Sequence, residues 1–169
     1  MLTKTNYPSP LGQLILVSDE TALLGLWFED QKYFGAGFDL RAIPEKQTAI
    51  SDQVTTWLDE YFKGNAPSSE ALPLNPQVTA YRQRVLQVLC QVPYGQTITY
   101  AELAHRLSKQ GAATSPRAIG GAVGHNPLSI VIPCHRVVGS DGSLTGYAGG
   151  LERKIALLKL EGADFSHLK

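Results

Sequence analysis

The sequence predicts an α/β amino-terminal domain followed by a mainly helical domain. Three observations lead there. Apolar runs bounded by turn residues occupy 11–28, which is a strand signature. Helically spaced apolar faces recur over 81–123 and again over 151–161. Between the two regions, residues 65–77 are rich in Pro, Ser and Asn and read as a linker. The domains are therefore placed at 1–76 and 77–169.

In the first domain, Leu11 to Val17 is apolar apart from Gln13 and reads as a largely buried strand after the turn Pro8-Ser9-Pro10. Ser18 to Thr21 connects it to a return strand, Leu23 to Phe28, in which Gly25 marks a bulge or a close approach. Gln47 to Phe62 carries Ile50, Val54, Trp57, Leu58, Tyr61 and Phe62 near helical spacing, and Gly64 stops the helix.

In the second domain, Tyr81 to Gln91 presents Val85, Leu86, Val88 and Leu89 on one face before Pro93-Tyr94-Gly95 breaks it. Thr99-Tyr100-Ala101-Glu102 has the capping-box pattern, so a helix runs to about Ser108. Gly111 to Ser115 is a turn, and Pro116 suits the first position of a helix continuing to Val123 and stopping at Gly124-His125-Asn126-Pro127. Helix, short turn and helix together have helix-turn-helix grammar. Ile130 to Ile132, all β-branched, reads as a buried strand ended by Pro133, and Leu151 to Glu161 as an amphipathic helix closed by Gly162.

Composition narrows the class. No apolar stretch approaches the roughly 20 residues needed to span a bilayer, and the amino terminus lacks the pattern of a signal peptide, so a cytoplasmic protein is expected. Two cysteines, Cys90 and Cys134, can form neither a disulfide framework nor a four-cysteine zinc site. The formal net charge is zero, yet residues 1–80 sum to −5 and residues 81–136 to +5. A basic middle is what a polyanion-binding face requires; neutralisation against the acidic first domain is the plainer alternative.

The chemistry centres on Cys134, at the mouth of the expected strand with His135 and Arg136 behind it. A thiolate is a strong nucleophile at neutral pH, and neighbouring cationic or hydrogen-bonding groups favour it. A lone cysteine after an apolar run is also a common inert core residue. The helix from Pro116 is unusual. Each internal glycine costs about 1 kcal/mol against alanine, yet Gly120 and Gly121 sit together with Ala118 and Ala122. Such a surface permits close approach of a groove wall, with Arg117 projecting from the helix start, or tight helix packing within the domain; residue types leave both open.

Pro133-Cys134-His135-Arg136-Val137 resembles the active-site motif of the O6-alkylguanine-DNA alkyltransferases, the methylated-DNA–protein-cysteine methyltransferases. The resemblance extends through Val92-Pro93-Tyr94-Gly95-Gln96-Thr97, Tyr100, Arg117-Ala118-Ile119-Gly120-Gly121-Ala122 and Asn126-Pro127. It continues through Gly146-Tyr147-Ala148-Gly149-Gly150-Leu151, Lys154, Leu157-Leu158 and Glu161-Gly162. Ser9-Pro10-Leu11-Gly12 and Tyr61-Phe62-Lys63-Gly64 extend it into the first domain.

The resemblance implies a ribonuclease-H-like sheet in the first domain and a winged-helix or helix-turn-helix-like motif in the second. It implies minor-groove docking on duplex DNA, extrusion of the damaged base, and single-turnover transfer of the alkyl group to Cys134 without a cofactor. By the same matching, Cys134, a water, His135 and Glu161 form a relay. An extended Cys-His segment, pointing the two side chains to opposite faces, would disfavour direct contact. Arg117 would replace the flipped base in the stack, with Ala118 and Gly121 on the docking face. Tyr100 would push the flanking phosphate or bond the base, and Asn126 would act as a hinge residue. The carbonyls of Cys134 and Val137 would accept from the guanine amino group, and the Tyr147–Ala148 backbone would donate toward O6. Arg136 is assigned to structure or phosphate contact, His105 and His125 to the surface, and Cys90 to an inert position near an apolar helix face.

The resemblance also implies a monomer, with cooperative binding along DNA left open, as is activity on O4-alkylthymine. With no cysteine before Cys90, neither the structural zinc of some relatives nor an extension bearing a second acceptor cysteine is expected. Ala148 stands where some relatives place serine, and Lys109 to Ala113 lengthen a turn. The main rival is a non-catalytic alkylated-base-binding protein, which would lack the acceptor cysteine. A Cys–His–Glu hydrolase and a plain helix-turn-helix regulator are the others.

Overall fold

The computed structural model describes residues 1–112, 114–144, 146–166 and Leu168. The chain falls into two compact units, one formed by 1–77 with 127–129 and the other by 78–126 with 130–169. Among the described residues no helix is long and apolar enough to cross a membrane.

The first unit is built on an antiparallel sheet of β1 (Thr3–Ser9), β2 (Gly12–Ser18) and β3 (Leu23–Phe28), in that order. Every residue of β3 is buried, as the apolar run requires. The Trp27 ring covers Gly25, where any side chain would collide with it, and the β2–β3 register shifts at Val17/Ser18. α1 (Ala49–Phe62) starts at a Thr48/Ser51 capping box and buries Val54, Trp57, Leu58 and Tyr61. β1 departs from the sequence expectation, which placed a turn at Pro8-Ser9-Pro10. Its residues are mostly polar and only Thr3 and Tyr7 are buried, so the apolar signal is weak. The linker is also more ordered than its composition suggests: Ser69–Ala71 is a 3₁₀ turn and Leu74 bridges Leu23.

Residues 127–129 join this unit by lying parallel to β3. The Leu26 N–H donates to the Pro127 carbonyl at 2.8 Å, and the Ser129 N–H to the Leu26 carbonyl at 3.0 Å. The buried Ser129 hydroxyl bonds Gln31 at 3.0 Å.

The second unit packs α2 (Ala80–Cys90), α3 (Tyr100–Lys109) and α4 (Pro116–Gly124) against one another, with α5 (Leu151–Leu160) beside a 3₁₀ turn at Cys134–Arg136. Thr79, Thr99 and Ser115 each accept a backbone N–H at a helix start, which explains why these helices begin where the sequence indicated. In the turn between α3 and α4, Ala113 lies outside the described residues. A two-residue parallel ladder pairs β4 (Ile98–Thr99) with β5 (Val137–Val138).

Ile130–Ile132 corrects the sequence expectation. The three residues are buried but form turns, and the strand begins five residues after Ile132, at β5. Pro133, with φ −82° and ψ 64°, closes an inverse γ-turn in which the Cys134 N–H donates to the Ile132 carbonyl at 2.8 Å. Ile130 itself adopts φ 72°, a left-handed conformation that costs a β-branched residue about 1–3 kcal/mol. Hydrophobicity reported burial there, and the proline ruled out a continuing ladder.

Candidate active site

Cys134, His135 and Arg136 occupy one 3₁₀ turn, all buried, rather than an extended segment. The geometric argument from alternating strand faces therefore does not apply to the Cys-His pair. His135 and Arg136 both reach Glu161, the residue just after α5.

Glu161 is 6% exposed and accepts from four N–H groups. His135 Nε2 lies 2.6 Å from Oε2, Arg136 Nε 2.8 Å from Oε1, Arg136 Nη2 3.0 Å from Oε2, and the Gly95 N–H 3.3 Å from Oε1. Burial alone would raise the pKa of this carboxyl. The hydrogen bonds and charges of His135 and Arg136 outweigh it and bring the group down to about 2. Gly95 holds φ +83°, and a Cβ there would sit 2.9 Å from the Glu161 carbonyl oxygen, so this turn requires glycine.

His135 is fully buried, and burial pushes its pKa below the ordinary histidine value against the pull of Glu161. The charges of Arg136 and Lys154 add to the downward push. At neutral pH the imidazole is therefore neutral. Because Nε2 faces an ionised carboxylate, the proton resides there and Nδ1 carries the lone pair. Nδ1 is buried and has no hydrogen-bond partner among the described residues.

Cys134 is 4% exposed, and burial raises its thiol pKa; the Asn126 side chain and the Lys154 charge oppose this without cancelling it. Asn126 also donates Nδ2–H to the Ile132 carbonyl at 2.8 Å, tying the end of α4 to the turn that carries Cys134. Tyr100, half-buried at the start of α3, is pushed up in pKa by burial and by its proximity to Cys134. The Tyr147 ring meets the His135 ring edge-on at 6.3 Å between centroids and packs over Gly149. Ala148 is half-buried in the same turn. The Cys134 carbonyl already accepts from the Val137 N–H, and the Val137 carbonyl from Lys154 Nζ at 2.6 Å, so each offers one remaining lone pair.

The structure thus gathers Cys134, His135, Glu161, Asn126, Tyr100, Val137 and Tyr147 within the second unit. Arg117 and Ala118 stand exposed on the first turn of α4, with Gly121 half-buried on the next. Of the two sequence assignments for Arg136, structure or phosphate contact, the contacts fit the structural one: its guanidinium is engaged by Glu161, by the Val92 carbonyl at 2.7 Å and by the Tyr94 ring at 5.8 Å. Cys90 is exposed rather than near the apolar face of α2. His105 is exposed and His125 half-buried, with Nδ1 2.8 Å from the Gly121 carbonyl. Lys154, fully buried with its pKa lowered by burial to about 8, was overlooked as a site residue. A signal existed: Lys154, Leu157, Leu158 and Glu161 share one helical face, so the charges lie on the buried side.

A family model described as the ribonuclease-like domain of 6-O-methylguanine DNA methyltransferase matches residues 2–76. Another, the DNA binding domain of the same enzyme, matches residues 80–163. A methylated-DNA–protein-cysteine methyltransferase of Haemophilus influenzae is 40% identical over 157 residues, covering 93% of this chain and 84% of its own. The chain belongs to the methylated-DNA–protein-cysteine methyltransferase family. The homologue from Mycobacterium leprae is 42% identical over 153 residues, 90% of this chain and 88% of its own. The crystal structure of Mycobacterium tuberculosis O6-methylguanine methyltransferase superposes with a TM-score of 0.81 at 36% identity, covering 96% of this chain and 93% of that one. A structure of the mycobacterial protein in complex with DNA scores 0.80 at 36% identity, over 95% and 92%. Residues 2–76 are thus the family's ribonuclease-like domain and residues 80–163 its DNA-binding domain.

Proposed function

We propose that this methyltransferase-family chain repairs DNA by moving the alkyl group of O6-alkylguanine onto Cys134, once per molecule. One observation carries the reading: His135 gives its Nε2–H to ionised Glu161 and keeps a buried Nδ1 lone pair, on the residue next to a buried thiol. The thiol proton passes through a water to Nδ1, and Glu161 stabilises the imidazolium that forms. Sulfur then attacks the alkyl carbon in line. The S–C bond forms as the C–O6 bond breaks, and the bonding pair stays on the guanine oxygen. The departing guanine takes up one proton, so the net transfer is of the alkyl group one way and a proton the other. A thioether is a poor leaving group, so no second turnover follows.

The supporting parts carry over from the family residue by residue. α3 and α4 act as a helix-turn-helix whose second helix enters the minor groove. Arg117 fills the stack behind the extruded base, and Tyr100 attends the flipped nucleotide. Val137 O and the Tyr147–Ala148 backbone frame the guanine edge. The domains function as 1–76 and 77–169, the protein acts as a monomer in the cytoplasm, and it needs no cofactor.

The test is intact-protein mass spectrometry after incubation with a short duplex holding one O6-methylguanine. The expected result is a gain of one methyl group, mapped to Cys134 and saturating at one per molecule. Tight binding with no mass change would replace the transfer with lesion binding alone, and neither binding nor transfer would defeat the assignment.

A further inference from the structure

Arg136 has a place in the site that neither its exposure nor its neighbours in sequence suggested. It is 8% exposed, and all the polar contacts described above point inward, so the guanidinium is not presented to a phosphate. Its fork meets Glu161 side-on through Nε and Nη2, and Glu161 Oε2 is shared with His135 Nε2.

We propose that Arg136 is a positioning residue for alkyl transfer, balancing the Glu161 charge in the core so that His135 rests as the free base the Cys134 thiol needs. With Arg136 present, the buried set of Glu161 anion, guanidinium and neutral imidazole is electrically neutral. Without it, Glu161 and His135 form a buried pair of net charge −1, which a single proton neutralises. That proton occupies the pair where the thiol proton must go. This inference rests on the proposed role of His135 as proton acceptor.

The groups facing His135 are Glu161 and Lys154 from α5 and its end, Cys134 and Arg136 from its own turn, and the Tyr147 ring from the segment before α5. Tyr94, after α2, faces Arg136 and acts electrostatically on Glu161. Lys154 pushes His135 in the same direction as Arg136, but it donates to the Val137 carbonyl, whereas Arg136 bonds Glu161 directly.

The experiment measures the single-turnover rate of methyl transfer from a saturating duplex against pH, for wild type, Arg136→Met and Arg136→Lys, with circular dichroism confirming the fold. In wild type the rate rises with pH along a limb set by His135. In Arg136→Met the limb moves up by about one pH unit or more, with the plateau above it within a few-fold of wild type. Arg136→Lys, which keeps the charge and loses the fork, shifts the limb less. A uniform loss of rate at all pH values, with the limb unmoved, would overturn the proposal and leave Arg136 a structural anchor.

If Arg136→Met fails to fold, nitrogen-15 NMR of His135 in the wild-type protein decides. The neutral form protonated at Nε2 should persist below the ordinary histidine value, and titration at or above that value would overturn the proposal. Failure of the wider reading looks different: wild type then transfers no methyl group, while the pH dependence of iodoacetamide alkylation at Cys134 still reports Arg136.

Discussion

Replacing Glu161 with glutamine changes few atoms and removes the charge on which the site turns. The carboxylate accepts from four N–H groups, two on each oxygen. Glutamine offers one oxygen and one NH₂, so whichever way the amide lies, donor meets donor on one side and the buried guanidinium loses its counter-charge. Removing one partner of a buried pair costs about 3–5 kcal/mol. The carboxyl itself lies at about 2 against an ordinary 4.5. That depression corresponds to about 3 kcal/mol of stability. The contribution is fully present above the unfolded-state value and is lost as pH falls through 4.5 toward 2.

Urea and thermal unfolding at a series of pH values test this. Both tryptophans, Trp27 and Trp57, lie in the first unit, whereas α2 to α5 lie in the second. Helical circular dichroism therefore follows the affected unit, and tryptophan fluorescence serves as an internal control. At pH 7 Glu161→Gln should lower the midpoint temperature of the dichroism transition by on the order of 10 °C. Between pH 5 and 2 its stability should fall less than that of wild type by about 3 kcal/mol. Parallel pH curves, or a loss under about 1 kcal/mol at pH 7, would refute the assignment of Glu161 as the buried charge centre.

Arg117→Ala should slow transfer from duplex DNA far more than reaction with free O6-alkylguanine base, because only the duplex needs the base held out of the stack; equal losses on both substrates would remove that role. Gly120 has open space where a side chain would go, so Gly120→Ala should stabilise α4 by about 0.5–1 kcal/mol while weakening duplex binding. Unchanged affinity in a filter-binding titration would exclude close groove approach at that residue. Gly95→Ala should cost more than 1 kcal/mol in thermal unfolding, from its positive φ and the approach to the Glu161 carbonyl, and a neutral result would show that the turn relaxes.

The helices were legible because their signals are local. Thr99 with Glu102, Ser115 before Pro116, and the spacing of Val85, Leu86, Val88 and Leu89 all act within a few residues. β1 was hidden because a sheet edge needs few apolar residues once β2 supplies its hydrogen bonds. Ile130–Ile132 was half legible: its composition reports burial, whereas its turns follow from Pro133 and from the anchoring of 127–129 beside β3. The site divides in the same way. The motif around Cys134 was readable in sequence, but Arg136 could be assigned only after Glu161, 25 residues further on, was seen to meet it.

The arrangement of charge connects these residues to the proposed single-use transfer. At rest the thiol and the imidazole are both neutral, and each has a charged group acting on it from α5 or its end. Lys154 acts on Cys134, and Glu161 bonds His135. Moving the thiol proton to His135 creates a thiolate and an imidazolium in the core, the two charges those groups favour, so little of the surrounding structure must reorganise. The same burial that raises the thiol's pKa shields it from electrophiles in bulk solvent, which matters for a nucleophile that cannot be regenerated. After transfer the sulfur is a neutral thioether with no proton to give, and the fixed charges no longer act on an ionising group. In the proposed reaction, single use follows from the product's chemistry, and burial of the thiol keeps the acceptor unspent until a base arrives.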